Sequence, residues 1–482
     1  MAMACERTGG QSYYLLAVSD DGDPNGIWHK YRLNVTALAG GDIDSPNIAV
    51  DSQAVYLTAD FFTGGQKYLV YILRKSDVLA GLAPLTRSHL ITGTQSHGLP
   101  VTWDAGTPAQ YLIEHFEAAN NTTVRLHAIT DPLGTPARTM FTLAVPTYSP
   151  PEDPPQAGST VRPETFDNRF WSCVYRDGML WATHHVNTSQ VRARWYQIAM
   201  NGWPLSGNNP TLVQSGEVVP GAGIRTFFSS ISVDSVGNAC VVMARSSPSE
   251  QFSMYRAMRK ETDPLGTTPD GAIAKGSIGP YGTARWGDYS GCVTDPADGR
   301  TFWGHHEYSE SGTWLTWIDS FQAGINTRLL DALAFTVTAG SQAGGDLNSL
   351  RLSDDNRLLV REGPPISALS PSAGLIVETT APTGNLLTAS LTWEGRCGAA
   401  PSVLVDQVIE MYNYQTNIWE VVDTRNPTLG DSTITVTPAG DPKRFVQAVT
   451  KRMRMRIQWF DRGAATLGWT CDSDLVRWSI TY

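Results

Sequence analysis

The chain has 482 residues, 41% of them hydrophobic and 17% charged, with a formal charge of −10. That length reads as about two to four domains, and the composition excludes collagen-like, coiled-coil and disordered chains. The acidic balance argues against a nucleic-acid partner, and no apolar run approaches the roughly 20 residues of a membrane helix.

In chain order, short alternating runs closed by Gly, Pro, Asn and Asp dominate, which predicts an all-β protein. The start at Met1 has no basic region leading into a long apolar stretch, so it does not read as a signal peptide. Tyr13–Asp20 and Ile27–Val35 fit the third and fourth strands of a four-stranded unit, and Met1–Glu6 its second. Its innermost strand is then missing or supplied elsewhere. From Asn47 onward one hairpin recurs: a short strand, a turn containing Asp, and a second strand rich in aromatics. It appears at Asn47–Asp60, Leu99–His115, Phe170–His185, Ser230–Arg245 and Ser290–Tyr308. The turn aspartates are Asp51, Asp104, Asp177, Asp234 and Asp295. Each hairpin is followed by further strand candidates, such as Lys67–Arg74. Four strands per repeat at this interval predict a six-bladed β-propeller over residues 1–335, beginning inside its first blade. Five blades, with the N-terminal strands closing the last, is the rival count.

After a Pro-containing stretch, Glu362–Ser372, the pattern changes. Residues 345–482 read as an antiparallel β-sandwich, jelly-roll-like. Val408–Gln415 and Ile418–Thr424 form a hairpin, and Arg452–Trp459 alternates. Met453, Met455, Ile457 and Trp459 point one way, and Arg452, Arg454 and Arg456 the other. With Lys451 these arginines form a basic ladder, read as a solvated face that discourages aggregation, with contact to an acidic partner as the alternative. The six cysteines include no CxxC pair, which excludes zinc ribbons and redox motifs. Cys173, Cys240 and Cys292 sit in apolar strands as buried thiols, whereas Cys397 and Cys471 share the last domain and could form a disulfide.

Arg285–Gly291 (RWGDYSG), with Asp295–Tyr308 behind it, resembles the repeats of β-propellers in large exported proteins of environmental bacteria. Ser45–Gln53, Val55–Phe62 and Ser19–Trp28 are similar to other pieces of that family, and the tail from Asp354 resembles its terminal β-sandwich. The resemblance implies export and a cell-surface location. It implies no agreed chemistry and offers no catalytic residue to map.

In a propeller the first strand of each hairpin starts, and the second ends, on one face of the ring. Residues flanking the hairpins should then converge on one mouth of the channel. In blade order these are Glu6; Asn47 and Asp60; His97, Glu114 and His115; Arg169, His184 and His185; Arg245; and Arg285, Asp288, His305, His306 and Glu307. Arg169, Arg245 and Arg285 could clamp a carboxylate, with Asp60, Glu114, His115, His184 and His305 as the remaining ligand-binding candidates. A sialidase-like hydrolase would draw its acid and nucleophile from Asp288 with Glu307 or Glu114, with His306 as a further candidate. No HxH or HExxH spacing occurs, and tandem histidines on a strand send their rings to opposite faces, so neither metal nor cofactor is expected. Pro146–Thr160 should lie on the same mouth, as a lid, a docking arm or a passive insertion.

The expectation is a secreted or cell-surface, non-catalytic protein that binds glycan or protein, or serves as a structural unit with self-assembly. The alternative is a glycan-active hydrolase using Arg, Asp, Glu and His at the propeller mouth.

Overall fold

The computed structural model describes residues 1–93, 97–364, 369–398, 405–462 and 468–482. Part of the Pro-containing stretch, residues 365–368, lies outside the described residues. The chain is all-β, a propeller followed by a β-sandwich, and divides into compact units at Met1–Ala323 and Gly324–Tyr482.

Six sheets follow one another along the first unit. The first has three antiparallel strands, Ala2–Thr8, Gln11–Ser19 and Trp28–Asn34. The second has four, Ile43–Val50, Ala54–Phe61, Lys67–Arg74 and Thr86–Thr92. The third comprises Gln110–Glu114, Asn121–Thr130 and Ala137–Tyr148. The fourth runs outward through Ser172–Arg176, Met179–Asn187, Val191–Ala199 and Thr211–Glu217, with Val101–Thr102 pairing parallel to its inner strand. Arg225–Val233 leads the four-stranded fifth sheet, and Gly291–Thr294, Phe302–Phe321 and Ile278–Tyr281 make the sixth.

Apolar side chains join each sheet to the next, which is what a ring of blades requires. Tyr14 and Leu57 share one core between the first and second sheets, and Tyr56 and Leu112 another between the second and third. Tyr111 and Tyr196 continue the series, then Trp195 with Val241, then Met254 with Phe302. Burying one such side chain contributes about 1.5–3 kcal/mol, so each interface is held by several of them. A central cavity of about 220 Å³ is lined by the inner strands, including Asn47, Leu99, Ser172, Ile231 and Val293. These come from the second, fourth, fifth and sixth sheets and from the segment around Val101–Thr102 that pairs with the fourth; the three-stranded first and third sheets contribute no lining residue.

The recurring turn aspartate has a physical cause. Asp51 Oδ1 accepts from the amides of Gln53 and Ala54, both at 2.7 Å, and Asp234 Oδ1 accepts from those of Val236 and Asn238, both at 2.9 Å. A carboxylate bonding its own turn closes the hairpin tightly. In the fourth sheet the turn residue Asp177 adopts a left-handed φ of 52°, and Asp104, from the preceding repeat, takes up the amides of Asp177 and Gly178 at 2.7 and 2.8 Å.

The second unit packs two sheets. One orders Ser341–Gly344, Leu358–Arg361, Thr470–Thr481, Thr388–Cys397 and Ser432–Val436, with Thr327–Asp331 also pairing with Thr470–Thr481. The other orders Ala334–Ala339, Ala373–Thr380, Arg452–Asp461, Val405–Asn413 and Ile418–Arg425. Thr327–Asp331 and Ala334–Ala339, both earlier than residue 345, therefore belong to the sandwich sheets. Met453, Met455, Ile457 and Trp459 are buried, and Trp459 meets Trp393 with centroids 6.3 Å apart. The arginines of the opposite face are already neutralised: Arg454 pairs with Glu378 at 2.9 Å and Arg456 with Glu410 at 2.6 Å. Both also lie over the Trp419 ring, so the ladder is a paired and stacked surface.

Candidate functional site

One mouth of the propeller holds a cavity of about 140 Å³. The start of the second sheet supplies Asp44 and Ser45, and the end of its second strand supplies Asp60 and Phe62. The segment before the fourth sheet supplies Phe166, Arg169 and Trp171, and the RWGDYS segment supplies Arg285, Asp288 and Tyr289. Ser45 has a left-handed φ of 51°, and the strand register slips between Asp44 and Asn47; this bulge turns Asp44 toward the mouth.

Asp288 is the one carboxyl lining this cavity, among the described residues, whose pKa is raised. Its Oδ2 accepts from Arg285 Nη2 at 2.9 Å, while Oδ1 is buried without a hydrogen-bond partner among the described residues. Burial pushes its pKa up and the charge of Asp44 adds to that, against the pull of Arg285 and Arg169. Glu307 is also raised, by burial and by Asp288 nearby, while its Oε2 accepts from the Gly287 amide at 2.8 Å. It thus braces the loop that carries Asp288. An alanine Cβ at Gly287 would meet that carboxylate at 2.0 Å and would push the Glu307 side chain away from the loop. Arg169 Nη1 stands 3.9 Å from Asp60 Oδ2, and its other nitrogens hold Asp167, Nη2 to Oδ2 at 2.6 Å.

The structure brings Asp60, Arg169, Arg285 and Asp288 together, with Glu307 behind Asp288, and the other expected residues do not line the cavity. Arg245 is buried, bound to Glu250 at 2.5 Å and laid over Tyr255, so no three-arginine clamp forms. Glu114 is buried against Arg125 and His127, at 3.1 and 3.0 Å. His115 is buried, which lowers its pKa to about 4, and His305 is half-buried on the face of its strand opposite His306.

The tandem histidines are core residues. His184 stacks on Phe170 at 4.3 Å and bonds the Asn168 carbonyl and the Tyr196 hydroxyl. His185 points the other way and accepts at Nδ1 from the Phe228 amide at 3.1 Å. His306, from the sixth sheet, donates from Nε2 to the Phe228 carbonyl at 2.9 Å. Phe228 sits in a bulge with a left-handed φ of 48°, so its amide and carbonyl are lost to the strand ladder, and the two imidazoles replace those bonds. The expectation of a histidine-lined mouth, and of His306 in catalysis, is corrected by this burial.

The Pro146–Thr160 segment is strapped down, contrary to the lid or docking arm. Gln156 is buried; its Oε1 accepts from the Tyr281 amide at 2.7 Å, and its Nε2 donates to the Tyr281 and Val161 carbonyls at 3.0 Å. Among the described residues two groups have the composition of metal donors: His97, Glu114 and His127, all buried, and His115, Glu117 and Asp167. Asp44, Trp171 and Tyr289 were not singled out from sequence; Tyr289 lay within the RWGDYS phrase, whereas the bulge that presents Asp44 left no sequence signal beyond Ser45-Pro46.

No family model and no curated protein matches the sequence. Among solved structures, a GH43 protein of Bacillus licheniformis, BlXynB, aligns over 100% of this chain and 97% of its own at 10% identity and a TM-score of 0.28. Trypanosoma rangeli sialidase aligns over 100% and 95% at 9% identity and a TM-score of 0.35. A family 29 carbohydrate-binding module aligns with 33% of this chain and 93% of its own at 10% identity and a TM-score of 0.20. The expectation of a non-catalytic binding or structural protein is corrected here, because the structures aligned along the whole chain are glycoside hydrolases and a sialidase. At these TM-scores the likeness assigns no chemistry, which is argued below from the mouth residues alone.

Proposed function

We propose that the protein is a glycan-active hydrolase with its active site at the propeller mouth. The observation that carries this is the Asp288 carboxyl. It is half-buried, raised in pKa, has one oxygen without a hydrogen-bond partner among the described residues, and shares a cavity with Asp44, Asp60 and Arg169. Glycoside hydrolysis needs one carboxyl that keeps its proton and one that does not, set apart by their surroundings. Asp288 is the proton donor to the leaving oxygen, and Asp44, exposed at the same mouth, supplies the second carboxylate. Trp171 and Tyr289 offer aromatic faces for a sugar ring, and Arg285, 62% exposed, is available to a carboxylate on the substrate. Glu307 positions Asp288 and does not touch substrate. The same reading takes the protein to be secreted or displayed at a bacterial cell surface, supported by the RWGDYS-type resemblance; no helix among the described residues is long and apolar enough to cross a membrane.

The test is a panel of aryl glycosides carrying neutral and carboxylated sugars, assayed with the full chain and with Asp288→Asn. Turnover that falls by about 10²-fold or more in the variant, with unchanged circular dichroism, supports the assignment. Turnover that Asp288→Asn leaves intact, or none above the variant on any sugar, refutes it.

A further inference from the structure

His97 is 2% exposed, and neither of its ring nitrogens has a hydrogen-bond partner among the described residues. Unpaired buried polar atoms are uncommon in folded proteins, and each costs about 1–3 kcal/mol. Of the other buried histidines of the propeller, His115 also leaves Nδ1 without a partner among the described residues, whereas His184, His185, His306 and His127 each bond at both nitrogens.

The surroundings of His97 are those of a ligand set. Its ring centroid lies 4.8 Å from that of His127, at an interplanar angle of 70°. His127 Nε2 is 3.0 Å from Glu114 Oε2, and one donor atom each from His97, Glu114 and His127 lie within 4.8 Å of one another. The third sheet creates this juxtaposition. Glu114 stands opposite Arg125 and His127 opposite Leu112, so Glu114 and His127 are diagonal neighbours on one face. Gly98, bridged to Ile113, brings His97 against the same face.

We propose that His97, Glu114 and His127 form a buried site for one divalent transition-metal ion, with Zn²⁺ the best match to two imidazoles and a carboxylate. Three protein ligands leave a fourth position for water. The ion would tie the segment entering the third blade to the strands Gln110–Glu114 and Asn121–Thr130 of its sheet, a structural role separate from the mouth chemistry, so it does not depend on the hydrolase reading.

Two guanidinium groups oppose the ion. Arg125 Nη1 is 3.1 Å from Glu114 Oε2, and Arg138 Nη1 is 3.3 Å from His127 Nδ1. A guanidinium only donates, so in the metal-free state Arg138 keeps the lone pair of His127 on Nδ1 and its proton on Nε2, toward Glu114. Ligation through Nε2 moves that proton to Nδ1 and requires Arg138 to withdraw. Arg138 is therefore a built-in competitor, and removing it should tighten binding, an effect that a purely hydrogen-bonded cluster would not show.

The experiment uses the full chain, dialysed against chelator and titrated with Zn²⁺ in competition with a chromophoric chelator. One ion per chain is expected. His97→Ala and Glu114→Gln should weaken binding by more than the roughly 10–100-fold that loss of an outer hydrogen-bond partner causes. Arg138→Ala should tighten it about tenfold, through loss of a like charge. Wild-type protein loaded with Co²⁺ should show visible bands of a four-coordinate nitrogen and oxygen set, which requires no variant to fold. Absence of stoichiometric binding, a thiolate charge-transfer band, unchanged affinity in a folded Glu114→Gln protein, or no tightening in Arg138→Ala would each overturn the proposal.

Discussion

Replacing Gln156 with Ala tests how the Pro146–Thr160 segment is held. The side-chain amide makes a reciprocal pair with the backbone of Tyr281, accepting from its amide at 2.7 Å and donating to its carbonyl at 3.0 Å, and also donates to the Val161 carbonyl. Alanine leaves the Tyr281 amide and carbonyl without these partners in a buried setting. Each such loss costs about 1–3 kcal/mol, and water entering the vacated volume recovers part of it, so the expected destabilisation is about 2–4 kcal/mol. Urea unfolding followed by tryptophan fluorescence measures this, and limited proteolysis mapped to residues 149–165 reports local release of the strap. Gln156→Glu adds an internal control. The ionised carboxylate can accept from the Tyr281 amide but faces two carbonyls, so that variant should be the less stable at neutral pH and should recover on acidification as the carboxyl gains a proton. A stability change below about 0.5 kcal/mol in Gln156→Ala, with an unaltered cleavage pattern, would show that the strap rests on the surface without being fastened there.

Two further expectations concern acid and oxidation. Burial lowers His185 and His306 to about 4 from an ordinary value of 6.5. The unfolded chain therefore takes up protons first, and the stability they contribute is full above pH 6.5 and lost as pH falls toward 4. The difference is about 3 kcal/mol for each histidine, and urea midpoints at pH 7 and pH 4.5 should reveal it; a His185→Phe, His306→Phe double variant whose midpoint falls as steeply between these pH values would refute the assignment. Cys397 and Cys471 stand directly opposite in register with their sulfurs 3.0 Å apart. A disulfide oxidant should remove two hydrogens from the intact mass and stabilise the sandwich by about 4 kcal/mol, given the 74 residues between them; thiols that remain fully titratable after denaturation would count against it.

The sheets were legible because their causes are local. Period-two burial and a turn aspartate that bonds its own backbone are both written in neighbouring residues, as at Asp51 and Asp234. The mouth was only partly legible, because the position of a strand end along the ring does not fix which way a side chain points. His184 and His185 end the same strand, yet one meets Tyr196 and the other Phe228. The bulges at Ser45 and Phe228 shift the phase of alternation without a distinctive residue, so Asp44 gained a place at the mouth that no spacing predicted. Arg245 was misplaced because its partner Glu250 lies across a tight turn that recruits it into the blade. Glu114 and His127 meet only through strand register, which sequence does not state.

The arrangement around Phe228 has a mechanical corollary. The backbone of one residue is gripped at its amide by an imidazole of the preceding blade and at its carbonyl by an imidazole of the following one. Both rings use the same tautomer, with the proton on Nε2, so a second proton on His185 would set an N–H against the Phe228 N–H, and one on His306 would do the same to the Glu307 amide. Three adjacent wedges of the ring thus share one acid-labile rivet, and loosening either side withdraws support from the other.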